Sequence, residues 1–180
     1  MLTMLHLFRK LRDDKAGLAA VEFALVLPAL LALIFGAIEV TNIMVAKTDT
    51  TNIASTAADL VAQESAVNNA DIANVFSAMT ALIYPYDGTN AKIIITSIID
   101  DGKGGGKVAW SDGYHTTGHT KNASMSVPAG LMTSGGSVIL SEVTYTYKTP
   151  SNYLVKLPVS MSNTFYSHPR RVAQITRTAN

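Results

Sequence analysis

Ala16-Gly17-Leu18-Ala19-Ala20-Val21-Glu22-Phe23-Ala24-Leu25-Val26-Leu27-Pro28 opens an apolar run that continues to Val40. Counted from Leu18 the run holds 23 residues, and a helix of that length rises about 34 Å at ~1.5 Å per residue. The hydrocarbon core of a bilayer is about 30 Å thick, so the run is long enough to cross it. A cleaved secretory signal has an apolar stretch of only about 7–15 residues ahead of a small-residue cleavage site. Residues 18–40 are therefore expected to stay in the bilayer as a transmembrane helix. Residues 1–17 form a basic leader, with Arg9, Lys10, Arg12 and Lys15 against Asp13 and Asp14, four cations to two carboxylates. Positive charge is retained on the cytoplasmic side, so the N-terminus is expected inside and residues 41–180 exported.

Two breaks in the run call for explanation. Glu22 lies five residues into it, and a carboxylate at membrane depth costs about 2.5–3.5 kcal/mol and is usually paired and functional. Pro28 lacks a backbone N–H and crowds the carbonyl of Ala24, which predicts a kink or local loosening.

The chain of 180 residues suits one modest domain plus an appendage. Apolar residues make up 48% and charged residues 15%, a membrane-associated balance set mainly by the N-terminal run. A net charge of +1 gives no basic patch for nucleic acid. With no cysteine, disulfides, thiolate metal sites and thiol nucleophiles are excluded.

The string from Gly17 to Pro28 resembles the class III signal of type IV pilin-like proteins, and its wording is similar to the TadE-like pseudopilins of tight-adherence (Flp-type) pilus systems. The resemblance implies a prepilin peptidase cutting between Gly17 and Leu18 on the cytoplasmic face. Glu22 then becomes the fifth mature residue, with Phe23 directly after it. It also implies a minor pilin-like subunit at the bacterial inner membrane, partnered by other pilin-like subunits and a pilus assembly platform. In such an assembly Glu22 pairs with the new Leu18 amine of a neighbour and helps specify register. Later segments, Val127-Pro128-Ala129-Gly130, the stretch from Val143 to Pro150, and Tyr166-Ser167-His168-Pro169-Arg170, resemble the same family more loosely. The alternative is an uncleaved single-pass envelope protein whose exported domain binds a partner or ligand.

Beyond Val40 the helix is expected to continue to about residue 64, with Ile43, Ala46, Thr50, Ile53, Ala57 and Leu60 forming a seam. A second helix is expected over 71–83, with Asn69 as N-cap, Ile72, Val75, Phe76, Met79 and Leu82 on one face, and Pro85 as its stop. The region 41–84 is thus helical and 91–167 mainly strands. Those fall at 92–99, 107–114, 137–148 and 153–166, the last interrupted at Pro158. The glycine-rich cluster at 100–106 forms the first hairpin turn. The expected class is α+β: a long transmembrane helix running into an exported domain with a second helix and about four mostly antiparallel strands.

No catalytic or cofactor pattern is complete along the chain. His115 and His119 have no glutamate between them, so the zinc-protease pattern fails and both read as polar loop residues. In Gly102-Lys103-Gly104-Gly105-Gly106-Lys107-Val108 the lysine is followed by Val108 in place of Ser or Thr, so no phosphate loop is expected. No serine elbow is present. The expectation is a protein without enzyme activity, metal or cofactor.

Overall fold

The computed structural model describes residues 15–149 and 158–178, with side chains from Gly17 onward. Most of the basic leader, including Arg9, Lys10, Arg12, Asp13 and Asp14, lies outside the described residues, as does the expected strand start at 153–157.

Helix α1, Lys15–Ala62, runs unbroken for 48 residues with Pro28 inside it. Its first half touches nothing: residues 18–35 are all exposed, and Glu39 is the first buried side chain along the helix. From Ala46 onward one face is covered, led by Ala46, Thr50, Ile53, Ala57 and Val61. Five of the buried positions are alanines, Ala46, Ala54, Ala57, Ala58 and Ala62, and their small side chains let the helix backbone lie close to its neighbours. Thr50 is accommodated because its hydroxyl donates to the Ala46 carbonyl at 2.7 Å. The seam corrects the expected one at its end: Leu60 is 37% exposed, and Val61 takes its place.

The strand β1, Ala66–Val67, leads into helix α2, Asn69–Ala81. The N-cap is Asn68 and not Asn69. Asn68 Oδ1 accepts from the backbone N–H groups of Ala70 and Asp71, while Asp71 accepts from the Asn68 N–H at 2.9 Å. This reciprocal box satisfies donors that the first helical turn leaves open. Ile72, Phe76 and Met79 face inward as expected. Leu82 does not: the helix ends at Ala81, the chain turns, and Ile83 is buried instead.

A short 3-10 turn, Gly88–Asn90, precedes the strands β2 (Ala91–Asp100), β3 (Gly106–Tyr114), β4 (Ser124–Met125), β5 (Ser137–Tyr147), β6 (Val159–Ser167) and β7 (Thr176–Arg177). Five of them form one antiparallel sheet in the order β4-β3-β2-β5-β6, while β1 and β7 make a separate parallel pair. The four long strands match the expected ones closely, with β6 starting directly after Pro158. The β2–β3 hairpin closes through Asp101 N–H to the Gly105 carbonyl, with Gly102 and Gly104 at φ 72° and 84°, where a side chain would be strained.

Both helices cover one face of the sheet. Ile93, Ile95, Trp110, Ile139, Val143, Tyr145 and Tyr147 meet Ile53, Ala57, Phe76 and Met79 in a single core. The apolar residues of β5 change parity between Leu140 and Val143, and this has a physical origin. Val143, Tyr145 and Tyr147 point to the helices, whereas Val138 and Leu140, of opposite parity, are buried on the other face with Ile98 and Val108. The long connection between β3 and β5 covers that second face. Gly106 is needed beneath it, since a Cβ there would stand 2.6 Å from Ile98 Cγ2 and 3.0 Å from the Met125 carbonyl.

The C-terminal segment closes the domain. Trp110 Nε1 donates to the Ile175 carbonyl at 2.8 Å, the Arg170 N–H donates to the last α1 carbonyl, Ala62, and Arg177 binds Asp112 at 2.9 Å and Asn69 at 2.6 Å. Asp59 on α1 also pairs with the Arg170 guanidinium.

Candidate functional site

The residues singled out in the apolar run all stand on the exposed half of α1. Gly17 and Leu18 lie in its first turn, and Leu18 is 61% exposed. Glu22 is one turn further on the same face as Leu18, because residues four apart align along a helix. Phe23 beside it is also exposed. Among the described residues no hydrogen bond or ion pair reaches Glu22. A carboxylate on the exposed apolar half of α1 that contacts no part of its own domain contributes nothing to the stability of this fold.

Gly17 is equally idle. A Cβ at this position would meet nothing within 4 Å, and its backbone is helical. Glycine costs about 0.5–1 kcal/mol relative to alanine inside a helix, so the fold gives no reason for it. Pro28 is likewise exposed and remains within the continuous helix. Its missing N–H leaves the Ala24 carbonyl without its helical donor.

One carboxylate escaped the sequence reading. Glu39 lies in the last turn of the apolar run, 17 residues beyond Glu22, and is only 4% exposed. The usable signal was simply a second charge inside the run. Glu39 sits where α1 meets the domain, next to Tyr147, which closes β5. Tyr147 is fully buried and its hydroxyl has no hydrogen-bond partner among the described residues; burial first, then the nearby Glu39 charge, push the phenol up to about 12. Tyr86 completes the cluster, edge-on to Tyr147 at 5.6 Å and donating its hydroxyl to the Asn42 carbonyl at 3.3 Å. Burial, followed by the charges of Asp49 and Glu39, raises the Tyr86 phenol as well. Asp49 is itself raised by burial.

The two loop histidines serve the fold. His115, at φ 52°, stacks on Tyr114 with ring centres 3.9 Å apart. His119 Nε2 meets Glu142 Oε2 at 2.5 Å and ties the β3–β5 connection down onto β5. Among the described residues no group of three potential ligands is placed to hold a metal ion.

One described helix is long and apolar enough to cross a membrane, and its most apolar window is entirely unburied, unlike the core helix of a soluble domain. This is the geometry of a single-pass anchor. Residues 17–59 match the family model for TadE-like proteins. The match begins at Gly17, includes Glu22, Phe23, Pro28 and Glu39, and stops near the end of α1. No curated protein matches the chain, and no solved structure does. Over residues 17–59, which hold the whole motif and most of the helix that carries it, the chain is similar to TadE-like proteins.

Proposed function

We propose that the chain is a minor pilin-like subunit of a tight-adherence (Flp-type) pilus. A prepilin peptidase cuts it between Gly17 and Leu18 on the cytoplasmic side of the bacterial inner membrane, and its domain lies on the periplasmic side. The observation that carries the reading is the idleness of Gly17 and Glu22 in the chain's own fold: neither packs against anything, yet both stand at the spacing that processing and assembly require. Cleavage exposes an α-amine on Leu18, charged below its pKa of about 7.7–8.0. In a neighbouring copy or a related subunit that amine meets Glu22, and a carboxylate in lipid gains this relief in only one axial register. The TadE-like match over this segment supports the reading.

The protein then acts by interaction alone, without enzyme activity or cofactor, together with other pilin-like subunits and the assembly platform. The test is Glu22→Gln in cells that build the pilus. Processing at Gly17 is expected to persist while piliation drops. Normal piliation with Gln at this position would remove the assembly role and favour a plain single-pass anchor whose exported domain binds a partner or ligand.

A further inference from the structure

The point at which α1 enters the domain fixes how far the domain stands from the bilayer. Residues 18–38 precede the first buried side chain, Glu39, and 21 helical residues rise about 31 Å, close to the ~30 Å hydrocarbon core. The domain therefore begins where the hydrocarbon ends. Tyr86 donates to the carbonyl of Asn42, three residues or about 4.5 Å further along the helix. The headgroup layer is about 5–7 Å deep on each side, so this bond ties the 82–86 turn to that depth.

The turn presents apolar surface that the domain leaves uncovered. Tyr84 is 84% exposed and Leu82 48%, with Pro85 exposed beside them. This is unusual beside the neighbouring Ile83 at 3%. Two exposed lysines stand at the same end of the sheet: Lys92, the second residue of β2, lies opposite Thr144, and Lys148 directly follows Tyr147. The nearest exposed carboxylate, Asp87, is engaged by Thr89 and Asn90 and lowered by those hydrogen bonds, with a smaller contribution from the Lys148 charge. Tyrosine is favoured at the membrane–water interface because its ring is apolar and its tip polar, and lysines there attract anionic headgroups.

We propose that the 82–86 turn is a second membrane contact. Leu82 and the Tyr84 ring enter the headgroup–acyl boundary of the leaflet from which α1 emerges, and Lys92 and Lys148 lie over its phosphates. Two attachment points, the helix and the turn, fix the rotation of the domain about the helix axis and the face it offers to partners. The inference rests on α1 spanning the bilayer.

The chain contains no cysteine, so single-cysteine variants can be spin-labelled specifically. The full chain is labelled at Ile38→Cys, Leu82→Cys, Tyr84→Cys or Lys121→Cys and reconstituted in vesicles of phosphatidylethanolamine and phosphatidylglycerol at 3:1. Lys121 serves as the distant control: it belongs to the segment bonded to Val108, seven β2 residues, or about 23 Å, from the Ala91 end of the sheet. Relative to that control, the labels at 82 and 84 are expected to favour collision with lipid-soluble oxygen over an aqueous nickel chelate by about threefold or more, as for an interfacially buried group. An aqueous label at 82 and 84 with a lipid-buried label at 38 overturns the proposal and leaves the anchor intact. An aqueous label at 38 overturns the anchor and the proposal with it. Protection at 82 and 84 that vanishes when the protein is diluted in lipid identifies a second copy as the occupant and also overturns it.

Discussion

Replacing Tyr147 with Phe removes one hydroxyl from the place where helix and sheet meet, and its effect on stability should change with pH above 10. Below pH 10 the phenol is neutral in both folded and unfolded chains. There the variant removes a buried hydroxyl that has no hydrogen-bond partner among the described residues, and relieving such a group is neutral or stabilising by up to about 1–3 kcal/mol. Above pH 10 the balance changes. The folded phenol holds its proton up to about 12, against 10.0 for an ordinary tyrosine. The unfolded chain releases its proton first and binds fewer protons between those values, so wild-type stability falls as pH rises. The contribution of Tyr147 is complete below pH 10 and is lost as pH passes 12. A shift of two units converts to about 2.7 kcal/mol, and because the cluster lies at the margin of the core we take about 2 kcal/mol. The other raised tyrosines, Tyr86, Tyr145 and Tyr166, are common to both proteins and cancel in the comparison. The assay is urea unfolding of the full chain in detergent micelles at pH 8 to 11.5, wild type against Tyr147→Phe. The variant should be at least as stable as wild type at pH 8, and its margin should grow by up to about 1.4 kcal/mol per pH unit above 10. Parallel curves across the whole range would refute the burial of a neutral phenol beside Glu39.

Three further substitutions test the packing by the same unfolding assay. Asn68→Ala removes the acceptor for two α2 N–H groups and should cost about 1 kcal/mol. Trp110→Phe leaves the buried Ile175 carbonyl without its 2.8 Å donor, at about 1–3 kcal/mol, and should loosen the C-terminal segment to amide hydrogen exchange before the sheet. Ala57→Leu inserts bulk at a fully buried position of α1 and should cost about 1–3 kcal/mol by overpacking.

Much of this architecture is legible in the residues because it depends on local pattern. The apolar run and its continuation mark α1 to within three residues at each end; a β-branched run marks β2, the glycine-rich turn after it marks β3 as its return, and alternation marks β5. What escaped reading depends on contacts distant in sequence. Residues 168–178 have no periodicity, yet they seal the core through Ile175 and Arg177; only the fold brings them to Trp110 and Asp112. Leu60 and Leu82 fit a helical stripe but fall at its edge, where adjacent Val61 and Ile83 are better aimed at the sheet. Asn68 and Asn69 offer equal capping chemistry, and the Asp71 carboxylate three residues on decides for Asn68. Glu39 was passed over because an apolar run hides a single charge near its end, and its meaning depends on Tyr147, more than a hundred residues away. At the proposed processing site the position is reversed: Gly17, Leu18 and Glu22 are conspicuous in sequence and make no contact in the fold.

That contrast points to the N-terminus as the place to measure first. Intact mass and N-terminal sequence, obtained from the full chain expressed with and without a prepilin peptidase, test it directly. A new terminus at Leu18, appearing only with the peptidase and abolished by a bulky residue at Gly17, is the expected result. A persistent Met1 terminus in the presence of active peptidase would contradict the pilin-like reading and leave a permanent single-pass anchor.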